Sequence, residues 1–412
     1  MESIHIKNFG GIKEMTLEIN KINILIGPQA SGKSVTAKLI YFFKRIPSTA
    51  LTHIEDKYSK VDLSEILLDR FNSYFPEETW PTEGFFIEYI SDRGAATIEK
   101  TTNEQRPRIV LNESYTTVID EIQKEYSELL EHKDPFDARP FQQKKQQYNN
   151  FFKSFQTAIS KNAGLNQYFI PAGRSFFAQL QTNIFALLNN NLSLDPLLIE
   201  FGSFYDNLKE LGVEKDQLTH EVEILINEIL NGSLVRRDKK DWIYHTDGRI
   251  VNLAKASSGQ QEAAPLLYLL TFFPLLRYIN DGATVFIEEP EAHLFPAAQR
   301  KIVQLLARLA NDKSNDFELF ITTHSPYILS SFNNLMEAGK IAKEQPDKQQ
   351  QIEKVVPREE WLNPADVNAS SIFSGKLTSL IDPETKLISQ NHLDSVSDDL
   401  AIDFGKLLDI EY

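Results

Sequence analysis

A glycine-rich loop between a strand and a helix limits the folds open to this chain more than any other feature. The loop covers Gly27–Ser34, reads GPQASGKS and fits the pattern G-x-x-x-x-G-K-[ST]. The compact apolar run Asn23–Ile26 precedes it, as a buried strand would, and an apolar stripe with helical spacing begins at Val35. Glycines let the main chain wrap closely around phosphates, and the N terminus of the following helix adds amide donors. The loop is therefore predicted to bind phosphates.

The last two residues of the loop have separate predicted roles. Lys33 would reach the β and γ phosphates of a nucleotide, and the hydroxyl of Ser34 would ligate Mg²⁺. The alternative is a glycine-rich turn that precedes a helix by chance. That alternative is weaker because the strand and the helix are both in register with the motif.

A second candidate segment is an apolar strand that ends in two adjacent carboxylates. It reads TVFIEEP over Thr284–Pro290, and ligands of parallel sheets bind at the carboxyl ends of the strands. Strand alternation points the two carboxylates in different directions, so Glu288 is predicted to hold Mg²⁺ and Glu289 to polarise the attacking water. A solvated acidic turn is the alternative, and it loses weight beside a phosphate loop.

A histidine follows another predicted buried strand. The strand spans Phe317–Thr322, and His324 comes two residues after it. A histidine in this place can hydrogen-bond a γ-phosphate, whereas an isolated histidine is more often structural. Its placement favours the functional interpretation.

A second anion site is predicted where Ser257–Gln260 precedes a long apolar helix, Gln261–Leu276. Small residues followed by a helix N terminus can bind an anion, although an ordinary capped helix start has the same pattern. Two phosphate-binding turns are more than one nucleotide needs. The loop of one molecule can instead complete the nucleotide site of another.

Composition and charge exclude several classes of protein. The chain has no cysteine, so disulfides, cysteine-ligated zinc and thiol catalysis are ruled out. Lys and Arg number 43 against 58 Asp and Glu, a net charge of −15, which gives no general attraction to nucleic acid or to an anionic membrane. The 14-residue apolar run Ala263–Leu276 contains two prolines and is shorter than the ~20 residues of a membrane span. A cytoplasmic protein that does not contact a membrane is expected.

The order of elements predicts an α/β fold. Strands and helices alternate in the last strongly patterned block, which indicates a parallel sheet with crossover helices. Four units are expected: an N-terminal part of the main domain at 1–110, a helical hairpin insertion at 111–166, a C-terminal part at 167–335, and a mainly helical tail at 336–412.

Together the motifs resemble the ABC-type ATPase heads of the SMC, RecF and OLD group, often described simply as AAA family ATPases. In that comparison Gly27–Ser34 matches the Walker A loop and Ser257–Gln260 the signature loop. Glu288 and Glu289 match Walker B, and His324 matches the switch histidine.

Two further segments place the resemblance in the OLD-like branch. Ile4–Phe9 resembles the first strand of such heads, and Glu289–Pro296, reading EPEAHLFP, has a form frequent in that branch. SMC proteins carry a very long coiled coil and OLD nucleases a TOPRIM domain, and neither is expected here. Only 88 residues follow His324, without a compact Asp-x-Asp pair on a buried strand.

The resemblance implies a P-loop NTPase fold, an ABC-type head with a mixed sheet and an inserted helical subdomain. It implies ATP and Mg²⁺ as ligands, with Glu289 and His324 as catalytic residues and Ser34 and Glu288 as metal ligands. The residues expected to bind the nucleotide are Gly27, Pro28, Gln29, Ala30, Ser31, Gly32, Lys33, Ser34, Ser257, Ser258, Gly259 and Gln260.

The chain departs from the pattern of these heads at several positions. Gln29 and Ala30 replace the commoner Asn-Gly, Glu288 stands where many relatives have Asp, and Ser258 replaces a signature glycine. Gln167 is a weak candidate for the Q-loop glutamine. Arg174 resembles an arginine of OLD-like heads, with a surface ion pair as the alternative.

Three functions remain open at this point. The first is an ATP-hydrolysing switch that forms a homodimer or higher oligomer around ATP and controls a separate effector, a nuclease or toxin, in DNA repair or phage defence; this role follows from the resemblance. The second is a DNA-structure sensor with an ATP-gated clamp, which would use the basic run Arg236–Lys240 with Trp242 and Tyr244. The third, an ABC transporter ATPase subunit, is disfavoured by the RecF-like first strand and the interrupted middle.

Overall fold

The structure is a computed structural model. It describes residues 2–55, 62–92, 94–131, 166–180, 194–211, 219–274, 282–312 and 316–389. The strands of these residues are β1 Ser3–Phe9, β2 Ile12–Glu18, β3 Ile22–Ile26, β4 Phe85–Ile90, β5 Ala95–Lys100, β6 Arg108–Leu111, β7 Asn166–Ile170, β8 Ser233–Arg237, β9 Lys240–Tyr244, β10 Ile250–Asn252, β11 Gly282–Glu288, β12 Asp316–Thr323, β13 Val367–Phe373 and β14 Lys376–Ser379.

Along the chain the α-helices alternate with the strands of the last block, as the sequence predicts for a fold with crossover helices. They are α1 Lys33–Lys44, α2 Ile46–Glu55, α3 Leu63–Tyr74, α4 Glu113–Glu131, α5 Ser175–Leu180, α6 Pro196–Leu211, α7 His220–Leu230, α8 Ser258–Phe272, α9 Pro296–Ala310, α10 Pro326–Glu344 and α11 Gln349–Glu353. None of the described helices combines the length and the hydropathy that a membrane crossing requires.

A six-stranded sheet of order β14-β13-β3-β12-β11-β7 forms the centre of the structure. The pairs β13–β3, β3–β12, β12–β11 and β11–β7 are parallel, and β14 is antiparallel to β13, so the sheet is mixed as expected. The carboxyl ends of five neighbouring strands consequently meet at one edge.

Both faces of this sheet are covered, which explains the continuous apolar runs of its central strands. Alternate residues of β12 enter different cores: Leu319 and Ile321 pack into one cluster with α8, α9 and α10. Phe320 packs into a second cluster with α1 and the first strand of the chain.

The second core lies against a five-stranded antiparallel sheet of order β2-β1-β4-β5-β6. A third sheet, β10-β9-β8, contains a hairpin around Asp247 and Gly248, where β9 and β10 pair as antiparallel strands. The first arm of the predicted helical hairpin is present as α4. The second arm lies outside the described residues.

The tail that we predicted to be mainly helical from residue 336 differs in the structure. Its described part contains the end of α10, α11 and two strands, of which β13 pairs in parallel with β3 and so belongs to the central sheet. The prediction failed because VNASSIF has two adjacent serines in place of a strict alternation, and its strand conformation depends on pairing with β3, 345 positions earlier in the chain.

Candidate functional site

The predicted motifs meet at the carboxyl edge of the central sheet. Ile26 of β3 is opposite Thr323 of β12, and Thr322 is opposite Glu288 of β11. The phosphate loop, the histidine segment and the paired glutamates therefore leave three adjacent strands side by side. Segments that are separated by more than two hundred residues in sequence form one site.

The phosphate loop depends on backbone conformations that favour glycine. Gly32 has a φ of 103°, and a Cβ atom there would lie 2.7 Å from Cγ1 of Ile12. Ala30 also has a positive φ, of 57°. Ser31 is buried, and its Oγ has no hydrogen-bond partner among the described residues. The loop thus keeps a buried polar atom available, as a phosphate cradle requires.

Lys33 lies within this loop, with 5% of the residue exposed. Its Nζ donates hydrogen bonds of 2.8 Å to the carbonyl oxygens of Gly27 and Pro28. Burial lowers the pKa of the Lys33 ammonium, and the nearby carboxylates, Glu289 above all, act in the opposite direction. In the sheet, β3, which leads to the lysine, and β11, which leads to the paired glutamates, are separated by β12 alone.

The two glutamates at the end of β11 have different surroundings. Glu288 is buried; its Oε2 accepts a hydrogen bond of 3.2 Å from the amide of Ala172, and its Oε1 has no partner among the described residues. Glu289 has a φ of 43°, and its side chain is 39% exposed. Its Oε1 lies 3.3 Å from Nε2 of His324.

These oxygen atoms fit a magnesium ion. Mg²⁺ prefers carboxylate, hydroxyl and water oxygens, and it is usually held by one or two protein carboxylates together with substrate phosphates. The Oε1 of Glu288, which has no partner among the described residues, would supply such an oxygen, and Ser34 is exposed in the first turn of α1. When bound, the metal would neutralise charge that develops on the phosphates.

Glu291 belongs to the site although the sequence analysis did not select it. Its Oε1 accepts hydrogen bonds of 2.7 Å from the hydroxyl of Thr323 and from the amide of His324. The residue is buried and ties the turn after β11 to the end of β12. Its position two residues after Glu289 was the signal available in the sequence.

The segment Ser257–Gln260 forms an ordinary capped helix start in the single chain. Ser257 is the N-cap of α8, and its side chain and that of Gln260 form a reciprocal capping box. The amide group of Gln260 also donates to the carbonyl of Leu230, and Gly259 packs against the carbonyl of His293. In the described part of the chain, none of its hydrogen bonds goes to the phosphate loop, while Ser257 and Ser258 are exposed.

Two further candidate features lie elsewhere. Gln167 pairs with Thr284 near the start of β11, away from the strand ends. In the basic run at the β8–β9 turn, Arg236 forms a 2.9 Å ion pair with Asp241. This pair neutralises part of the predicted DNA-binding patch.

The fold and the arrangement of the strand ends are those of a P-loop NTPase fold with an ABC-type head. Residues 22–330 match the AAA domain family that is described as a putative AbiEii toxin of type IV toxin–antitoxin systems, and the chain belongs to this family. No curated protein matches the chain.

Several solved structures resemble the chain at low identity. They include the SMC head domain from Thermotoga maritima, with a TM-score of 0.36 at 11% identity, covering 92% of this chain and 97% of that one. An Smc head bound to the C-terminal winged-helix domain of ScpA has a TM-score of 0.41 at 12% identity, covering 93% and 98%. The recombination mediator RecF has a TM-score of 0.33 at 13% identity, covering 92% and 97%. At these scores the likenesses carry no argument about function.

Proposed function

We propose that this chain is an ATP-binding and ATP-hydrolysing switch that dimerises around ATP and controls a separate effector protein. One observation carries the proposal: the strands that lead to Lys33, to the paired glutamates and to His324 end side by side in register, and Oε1 of Glu289 lies 3.3 Å from Nε2 of His324. A triphosphate in the loop would place its γ-phosphate within reach of the exposed glutamate and the histidine.

The residues have separate roles in this proposal. The loop Gly27–Ser34 binds the phosphates through its amides and Lys33, while Ser34 and Glu288 hold Mg²⁺. Glu289 accepts a proton from the attacking water, and the ring of His324, which lies beside it, hydrogen-bonds the γ-phosphate.

A second copy of the chain would complete each nucleotide site through Ser257–Gln260. The exposure of Ser257 and Ser258 supports this arrangement, because the start of α8 is free to meet a partner. Hydrolysis would loosen such a dimer by removing the γ-phosphate that bridges it. The dimerising unit is proposed to consist of residues 1–110 and 167–335 together with β13 and β14. Residues 111–166 are proposed to form an insertion in this unit.

The family description supports a role in defence. It names a putative toxin of a toxin–antitoxin system. We propose that the ATPase state of this chain determines when a nuclease or toxin is active.

The test is Glu289→Gln in the full chain. This variant should bind ATP and fail to hydrolyse it, because the amide cannot accept the proton of the water, and an ATP-dependent dimer should accumulate. Phosphate release and light scattering after size exclusion measure the two effects.

Glu14→Gln is the matched control, because Glu14 also faces a histidine, at 3.7 Å from Nε2 of His5, but lies on β2 outside the site. It should turn over ATP like the wild type. Unimpaired hydrolysis by Glu289→Gln would refute the assignment of the base.

A further inference from the structure

Arg174 is a completely buried cation that has no part in the proposed reaction. It lies just before α5, and its exposed fraction is 0%. Its Nη1 donates to the carbonyl oxygens of Glu288, at 2.7 Å, and Pro171, at 3.1 Å. Its Nη2 donates to the carbonyl of Glu289 at 3.0 Å. One guanidinium therefore holds the main chain of both glutamates that follow β11.

The remaining nitrogen of the same guanidinium reaches α8. Nε of Arg174 donates to the carbonyl of Glu262 at 3.2 Å and lies 3.6 Å from the Oε2 of its carboxylate. The other carboxylate oxygen accepts a hydrogen bond of 3.1 Å from the amide of Ser175. Glu262 lies in the first two turns of the helix that Ser257 caps. Arg174 thus joins the acidic turn to the helix that begins with the signature segment.

A buried guanidinium is costly unless its donors are satisfied, and here all three nitrogens have acceptors. The planar fork fixes the directions of these bonds, so a movement of α8 relative to the turn cannot occur without breaking some of them. Glu289 needs such support. Its φ of 43° is unfavourable for a residue other than glycine, and its amide donates to the carbonyl of Thr322 at 2.8 Å.

We propose that Arg174 is a positioning residue that fixes the main chain of Glu289 and couples it to α8, the helix that begins with the signature segment. Contact of a second copy with the start of α8 would then change how well Glu289 is aligned for hydrolysis. The consequence for hydrolysis rests on the proposed function, whereas the mechanical link rests on the hydrogen bonds alone.

The link is tested without nucleotide by hydrogen exchange of the amides of Glu289 and Ala292. Arg174→Lys keeps the charge but loses the fork, and Glu262→Gln loses only the carboxylate charge on the helix side. Both variants should exchange about tenfold faster at these two amides, although none of the hydrogen bonds of Glu262 in the described part of the chain goes to that turn.

Arg308→Lys is the control for general loss of a buried arginine pair. Arg308 lies near the C-terminal end of α9, at the end of the helix opposite to the turn, and donates at 2.9 Å to the buried Glu360. This variant should leave the two amides unchanged. Unchanged exchange in both test variants, or acceleration spread over the chain to the same extent as in the control, would overturn the proposal.

Steady-state measurements of kcat and of the KM for ATP then test the consequence for hydrolysis. Arg174→Lys should lower kcat by about ten- to a hundredfold, because misplacement of a reacting group by about 1 Å can have that effect, while the KM for ATP stays within about threefold. When Arg174→Lys is added to Glu289→Gln, the residual kcat of the double variant should equal that of Glu289→Gln alone.

The two proposals can fail separately. Full turnover by Glu289→Gln would refute the assignment of Glu289 as the base. The hydrogen-exchange measurement would still decide whether Arg174 couples α8 to the turn. A normal kcat in Arg174→Lys, with Glu289→Gln inactive, would overturn the positioning role and leave the proposed function standing.

Discussion

Replacing Lys33 with alanine should abolish most of the affinity for ATP while leaving the fold intact. In the structure its Nζ already makes two hydrogen bonds of 2.8 Å, to the carbonyls of Gly27 and Pro28. Bound phosphates offer the same ammonium stronger, charged acceptors. The variant therefore isolates the contribution of one cation to triphosphate binding.

The expected magnitude follows from these contacts. Two hydrogen bonds between an ammonium and phosphate oxygens contribute ~1.5–3 kcal/mol each, about 3–6 kcal/mol together. The lysine gives up two carbonyl contacts to make them, which favours the lower end. Since ~1.4 kcal/mol corresponds to tenfold in affinity, we expect a loss of about a hundredfold or more.

The stability of the folded chain should change little. Lys33 is buried, so its ammonium is partly desolvated in the folded state and its pKa is lowered. Removing it relieves that cost and leaves two loop carbonyls with fewer donors, so the two effects oppose each other. A change within ~1 kcal/mol in the free energy of unfolding is expected.

The assay is calorimetric titration with ATP and Mg²⁺, together with thermal unfolding of the same samples. Lys38→Ala is the control, since Lys38 lies on the same helix and its Nζ pairs with Asp195 at 2.5 Å instead of facing the loop. It should bind ATP normally. An affinity of Lys33→Ala within threefold of the wild type would refute the assignment of the phosphate cradle.

Three further perturbations test separate parts of the structure. Ser257→Arg should leave ATP binding to the monomer intact and block turnover, because the long side chain obstructs a composite site; full ATPase activity would argue against composite sites. Burial raises the pKa of Glu318 to about 7, with Lys44 opposing it, so its contribution to stability is present below about pH 4.5 and is lost as the pH rises through about 7. Glu318→Gln should therefore flatten the fall in unfolding temperature between pH 5 and 8, and an unchanged pH profile would contradict this. Gly259→Ala should lower the unfolding temperature, because its Cβ would lie 2.6 Å from the carbonyl oxygen of His293; a thermal scan equal to that of the wild type would show that α8 can shift freely.

The central strands and the phosphate loop could be predicted from sequence because their signals are local. A buried parallel strand is a short apolar run, and Phe317–Thr322 or Asn23–Ile26 has that form without reference to any partner. The order of such strands with helices between them then predicts that their carboxyl ends share one edge. The meeting of the glutamates and the lysine follows from this rule.

Other parts of the site could not be predicted because their signals are tertiary. The acceptors of Arg174 are main-chain carbonyls, which every residue has, so no residue type in the sequence marks them. The buried role of Glu291 depends on the end of β12 lying beside it, and the strand β13 depends on β3. Local patterns do not specify such contacts.

The hydrogen bonds at the strand ends imply that one hydrogen-bond network holds the main chains of Glu289 and His324. The amide of Glu289 donates to the carbonyl of Thr322, and the amide of His324 donates to the carboxylate of Glu291, so two hydrogen bonds join the end of β12 to the turn that follows β11. A displacement of the histidine would therefore move the turn that carries the glutamate. Arg174 links the signature helix α8 to the same network, because it donates hydrogen bonds to the carbonyls of both Glu289 and Glu262. The main chain of the glutamate that would face one nucleotide and the helix that would face a second copy are thus hydrogen-bonded to a single buried cation.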